Sequence, residues 1–147
     1  MVLRKQITKE WYIIKLQYIT DCALLMMVYM AGENRIVSSR ELEKMIGFPQ
    51  QSIFSAGRKL KKAGFINTVA GSFGGYTLAK PLEEISIQDI LTAFKDEFCM
   101  NGEISAEKAT TASLRRFLDI CHEFEAEAKN GMSAVTLADM LKDKEQP

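Results

Sequence analysis

The segment Pro49-Gln-Gln-Ser-Ile-Phe-Ser-Ala-Gly-Arg-Lys-Leu-Lys-Lys62 gathers side chains suited to reading a nucleic acid. Gln50 and Gln51 carry amides that pair bidentately with adenine, and Ser52 and Ser55 add hydroxyls able to meet a base edge. Arg58, Lys59, Lys61 and Lys62 follow, cations that neutralise phosphates and make binding salt-dependent. The same residues also describe a solvated amphipathic helix with ordinary surface lysines, and residue chemistry alone leaves the two readings level. A second segment, Gly71-Ser-Phe-Gly-Gly75, has the glycines of a phosphate-cradling loop. It lacks the Lys-Ser/Thr of a P-loop and the spacing of a dinucleotide fingerprint, so it reads as a hairpin tip. There Ser72 and backbone amides are placed for a phosphate, and Phe73 for a DNA backbone or groove. No nucleophile–base pair, nucleotide loop or paired carboxylate in a cleft is evident, and no enzyme is expected.

Charge supports a polyanion partner for one half of the chain. The 19 Lys and Arg balance the 19 Asp and Glu over 147 residues. Residues 1–80, however, hold 12 basic against five acidic residues, and residues 81–147 hold seven against 14. One face built for DNA and one that is not would produce this split. The chain is 47% apolar and 26% charged, ordinary for a globular domain and inconsistent with a disordered or collagen-like one. Three widely spaced cysteines, Cys22, Cys99 and Cys121, with no signal peptide, predict reduced thiols in a cytoplasmic protein. The run Cys22–Ala31 is too short to span a bilayer and predicts a buried helix; no membrane partner is expected.

The elements that would position these residues follow from caps and periodicity. A buried helix is predicted over Thr20–Met30, ended by Gly32-Glu-Asn34. Ser38 or Ser39 caps a short helix with Glu41 able to close a capping box, and Gly47 stops it. Pro49 suits the first turn of the next helix, which runs to Lys62 with Ile53, Ala56 or Gly57, and Leu60 facing inward. Two helices joined by a Gly-Phe-Pro turn make a helix-turn-helix. Phe65–Val69 and Tyr76–Ala79 are strand-like and flank the hairpin tip. The predicted fold is therefore mainly α with a small β-hairpin wing, a winged helix-turn-helix. A short helix follows over Ile85–Phe94, capped by Ser86, then a long helix over 105–129 and a last short helix over Val135–Leu141. Leu114, Phe117, Leu118, Cys121 and Phe124 form one stripe on the long helix, which predicts dimerisation across a twofold axis. Residues 1–18 are ambiguous between strand and helix. The expected division is a winged-helix DNA-binding domain with an N-terminal extension over 1–95 and integrated dimerisation and effector helices over 96–147.

Several motifs are similar to the Rrf-two family of bacterial winged-helix regulators over about residues 18–142. They are Ile19-Thr-Asp-Cys-Ala-Leu-Leu-Met-Met-Val-Tyr-Met-Ala31, Leu60-Lys-Lys-Ala-Gly64, Gly74-Gly-Tyr-Thr-Leu-Ala-Lys-Pro-Leu-Glu-Glu-Ile-Ser-Ile-Gln-Asp-Ile90 and Val135-Thr-Leu-Ala-Asp-Met-Leu141. The resemblance implies a homodimeric, sequence-specific transcriptional regulator, a repressor in the first instance, with Ser39, Gln50, Gln51, Ser52, Ser55, Arg58, Lys59, Lys61, Lys62, Ser72 and Phe73 against double-stranded DNA. Iron–sulfur members carry three closely spaced cysteines before the long helix, where this chain has Cys99 alone. Four ligands are usual for a cluster. No cofactor or metal is therefore expected; a cluster with unusual ligands stays as the alternative. Asp21 falls where some members supply a carboxylate ligand, so Asp21 and Cys99 are the candidate sensing residues, with a thiol switch or a small-molecule effector as options. Ala70 stands where members often place an arginine before the wing glycine. That substitution keeps open a second function, a protein-interaction module that has lost DNA binding.

Overall fold

The computed structural model describes residues 17–95, 107 and 109–142. Helix α1, Tyr18–Glu33, buries Thr20, Cys22, Ala23, Met26, Met27, Met30 and Ala31. With so many of its residues inside, it is the central post of the core. It ends at Asn34, whose left-handed conformation (φ 47°) its short polar side chain tolerates.

Helix α2, Ser39–Ile46, starts at Ser38, whose hydroxyl accepts from the Glu41 amide at 3.1 Å, and stops at left-handed Gly47. Ser39 is thus the first helical residue, not the cap. The capping box does not close either. The Glu41 carboxylate instead accepts from Arg35 at 2.9 Å and from the Tyr29 hydroxyl at 3.1 Å, tying α2 back to α1. Helix α3, Gln50–Lys62, buries Ile53, Ala56, Gly57 and Leu60, and Pro49 sits at its N-cap. Strands β1, Ile66–Val69, and β2, Gly75–Leu78, pair antiparallel from Ile66↔Leu78 to Val69↔Gly75. Val37 adds a bridge to Tyr76, exchanging hydrogen bonds of 3.0 and 2.9 Å, so the wing is stitched to the chain entering α2.

After a 3-10 turn at Leu82–Glu84, helix α4, Ile87–Ala93, opens with a closed capping box between Ser86 and Asp89. Helix α5 covers Ala112–Ala134, not 105–129. Thr111 caps it by accepting from the Leu114 amide, which fixes the later start. It runs through Gly131, because a glycine lowers helix propensity by about 1 kcal/mol without breaking the hydrogen-bond ladder. The last segment is also shorter than predicted: a 3-10 turn, Ala138–Leu141. The residues before it leave the helix to bridge Thr136 to Ser86, and Leu137 enters the core fully buried, its amide donating to the Ile85 carbonyl at 2.9 Å.

Candidate nucleic-acid interface

The inward residues of α3 determine what faces out. With Ile53, Ala56, Gly57 and Leu60 inside, Gln51, Ser55, Arg58 and Lys62 line the opposite side at spacings of four, three and four. Gln51, Arg58 and Lys62 are exposed and Ser55 half-buried. The Arg58 guanidinium donates to Ser55 Oγ at 3.3 Å, which steadies both on the helix surface. No acidic residue lies in α3, so this face is uniformly neutral or cationic.

The other predicted residues divide between two flanks. Gln50 turns toward α2, its Oε1 accepting from Ser39 Oγ at 3.5 Å. Lys61 reaches the wing and donates to Thr68 Oγ1 at 2.9 Å, a positioning contact rather than a free cation. Lys59 leans the other way, its ammonium 5.5 Å from the Phe94 ring centre, and so is drawn off the outward line. Ser52 is half-buried.

Between α2, α3 and the wing lies an open cavity of about 590 Å³, lined by Ser39, Arg40, Phe54, Thr68, Ser72 and Tyr76 among others. It brings Ser39 and Ser72, far apart in sequence, onto one concave surface. Two of its members, Arg40 and Phe54, escaped the sequence reading. Phe54 is 43% exposed, although an aromatic in a helix reads first as core. Its offset of one from Ile53, off the buried stripe, was the available signal.

Close approach holds the wing at this angle. A Cβ on Gly57 would sit 2.9–3.1 Å from the Tyr76 ring, so the glycine lets the tyrosine lie flat on α3. A Cβ on Gly75 would overlap the Val37 carbonyl, and one on Gly74 the Val69 carbonyl. The Gly-Gly-Tyr sequence is thus the mark of backbone packed on backbone. Burial pushes the Tyr76 hydroxyl up, while the Arg58 charge partly opposes the shift. The wing tip itself is open, with Phe73 96% exposed.

Residues 16–143 match the Rrf2 family, described as iron-dependent transcriptional regulator. The chain belongs to the Rrf2 family. A curated relative, Protein rrf2 of Nitratidesulfovibrio vulgaris, is 26% identical over 124 residues, covering 82% of this chain and 81% of the relative. Among solved structures, CymR, the global cysteine regulator of B. subtilis, superposes with a TM-score of 0.70 at 19% identity, covering 86% of this chain and 95% of its own. T. potens IscR does so with 0.68 at 22% identity, covering 90% and 89%. The fold is the mainly helical winged helix of these Rrf2 regulators, and the chain is a DNA-binding transcriptional regulator.

The family description raises iron, and the described residues do not fit an iron or iron–sulfur site. Among them no group of three or more His, Cys, Asp or Glu side chains is placed to hold a metal. The chemistry of the donors agrees. Cys22 is fully buried, and burial pushes its thiol up to about 11, far from the thiolate that a metal needs. Cys121 is buried on α5, while Asp21 and His122 are exposed on α1 and α5. Cys99 lies outside the described residues. The predicted dimer stripe splits: Leu118 and Cys121 are buried within the protomer, whereas Leu114, Phe117 and Phe124 are 38%, 48% and 52% exposed. Among the described residues no helix is long and apolar enough to cross a membrane.

Proposed function

We propose that this Rrf2 regulator is a sequence-specific repressor that binds double-stranded DNA as a homodimer in the cytoplasm. One observation carries the reading: Gln51, Ser55, Arg58 and Lys62 stand in a row on the outward side of α3, with no acid among them. In a helix-turn-helix the second helix lies in the major groove, its first residues on base edges. Gln51 then reads a base, Ser55 and Arg58 follow along the groove, and Lys62 meets a phosphate. Ser39 and Arg40, at the start of α2, take the strand that borders the groove. The exposed Leu114, Phe117 and Phe124 supply the twofold contact, which sets the two α3 helices about 34–36 Å apart. Repression follows from occupancy alone and requires no further contact. The effector is a small molecule or oxidant acting on the angle between the paired helices.

The test is a duplex enriched by the full chain from a random pool, measured as a salt series. Lys62→Ala is expected to weaken all duplexes alike and reduce the salt slope by about one. Gln51→Ala is expected to relax preference at one base position by about 1–3 kcal/mol. Salt-insensitive binding, or no enriched duplex, would instead favour an interaction module.

A further inference from the structure

The wing carries no charge. From Ile66 to Ala79 there is no acidic or basic residue, and Ala70 to Gly75 reads Ala-Gly-Ser-Phe-Gly-Gly. A neutral hairpin gains nothing from the phosphate charge that dominates non-specific affinity. Its apex nevertheless carries Phe73, 96% exposed, with Val69 39% exposed beside it. The apex is also held in shape. The Gly74 amide donates to the Gly71 carbonyl at 3.0 Å, and Gly74 presses so closely on Val69 that no Cβ would fit. The base of the wing is fixed by the Val37 bridge and by the Lys61–Thr68 hydrogen bond to α3. A large aromatic ring thus stands on a braced hairpin, and little ordering is required when it binds.

Position supplies the occupant. The wing and α3 wall the same concavity, with Ser39, Arg40 and Ser72 around it. With α3 in a major groove, the phosphate strand bordering that groove would run along this concavity, and beyond that strand lies the minor groove. We propose that Phe73 is an unstacking wedge: it enters the minor groove and levers apart one base step, bending the duplex. Apolar side chains inserted in this way kink DNA by about 20–90°. Pyrimidine–purine steps give way most easily, so the wing selects sequence by deformability, without a hydrogen bond to a base. The proposal rests on the DNA-binding reading above and adds what the wing does there.

The experiment uses the full chain and a duplex enriched by it from a random pool. Donor and acceptor dyes on the two ends report bending, and 2-aminopurine placed through the flanks reports unstacking. The wild type is expected to raise energy transfer and brighten one flanking 2-aminopurine. Phe73→Ala is expected to abolish both signals and weaken binding about tenfold, the scale of one lost aromatic–base stack. Its salt slope stays unchanged, since no charge is lost. Phe73→Leu retains most of the bend. Equal bending and affinity for wild type and Phe73→Ala would overturn the proposal. So would a Phe73→Ala change in the mass of the free protein, which would put the ring in a protein contact. If the wild type enriches no duplex, the regulator reading itself falls and takes the wedge with it.

Discussion

Gly57 and Tyr76 show how a single missing carbon can set the geometry of the proposed DNA-binding surface. The ring occupies the space that a Cβ at position 57 would need, 2.9–3.1 Å away. Gly57→Ala pushes the ring, and with it β2 and the Val37 bridge, away from α3. The expected cost is about 1–3 kcal/mol in thermal or urea unfolding, with a further loss of affinity because the wing tilts. Tyr76→Phe keeps the packing and should leave both nearly unchanged. The thiols make a second residue-scale test. Cys22 and Cys121 are 0% and 2% exposed, and burial pushes the Cys22 thiol up to about 11, so it stays protonated even in alkaline labelling buffer. Neither should react with iodoacetamide until denaturant is added; mass spectrometry of tryptic peptides reads this directly. At this scale the sequence showed residue type well and direction poorly. It offered Arg58, Lys59, Lys61 and Lys62 alike as phosphate ligands; in the structure Arg58 and Lys62 face outward, while Lys59 and Lys61 are drawn to Phe94 and Thr68, partners that only the tertiary fold brings near.

The elements themselves were readable wherever their ends depend on short-range hydrogen bonds. Ser38, Ser86 and the glycine stop at Gly47 act within three or four residues, so α2, the hairpin and α4 stand close to where the sequence puts them. Ser86→Ala removes half of the capping box and should cost about 1 kcal/mol of stability. The C-terminal turn misled because its geometry depends on partners far along the chain: Thr136 leaves the helical path to pair with Ser86. That turn carries its own pH signature. Lys142, bonded at 2.7 Å, and then the Thr136 amide and hydroxyl hold the Asp139 carboxyl down at about 2. A carboxylate with a lowered folded-state pKa stabilises above its unfolded value, and the benefit disappears as pH falls through the folded one. The melting-temperature gap between wild type and Asp139→Asn should therefore be steady at pH 5–7 and close between about pH 4 and pH 2.

At the level of the whole molecule, α5 presents two faces with different work. Leu118 and Cys121 bind it to its own protomer, while Phe117 and Phe124 stay about half exposed and are the proposed twofold contact. Phe117→Glu with Phe124→Glu should yield a folded monomer, seen as a halved mass in analytical ultracentrifugation with little change in circular dichroism. DNA affinity should drop sharply, since one half-site alone then binds. The periodicity of the stripe was evident in sequence, but not which part of it serves the protomer, because both uses select the same apolar residues. The charge split is only partly a matter of helices: α3 carries cations and no acid, whereas α5 mixes Asp119, Glu123, Glu125 and Glu127 with Arg115, Arg116 and Lys129.

Leu137 joins the core that α1 organises, hydrogen-bonded to Ile85, from a position more than a hundred residues downstream of α1. On the ribosome the consequence concerns time. The helix-turn-helix and wing are complete by Leu78, yet the core they share with α1 is completed only after residue 137 has left the exit tunnel. Synthesis proceeds at about 5–20 residues per second, so each nascent chain passes through several seconds with its DNA-reading half made and its interior unsealed. Chains arrested before residue 137 should be cut readily by protease, and the helix-turn-helix and wing should become firm only as the last turn docks.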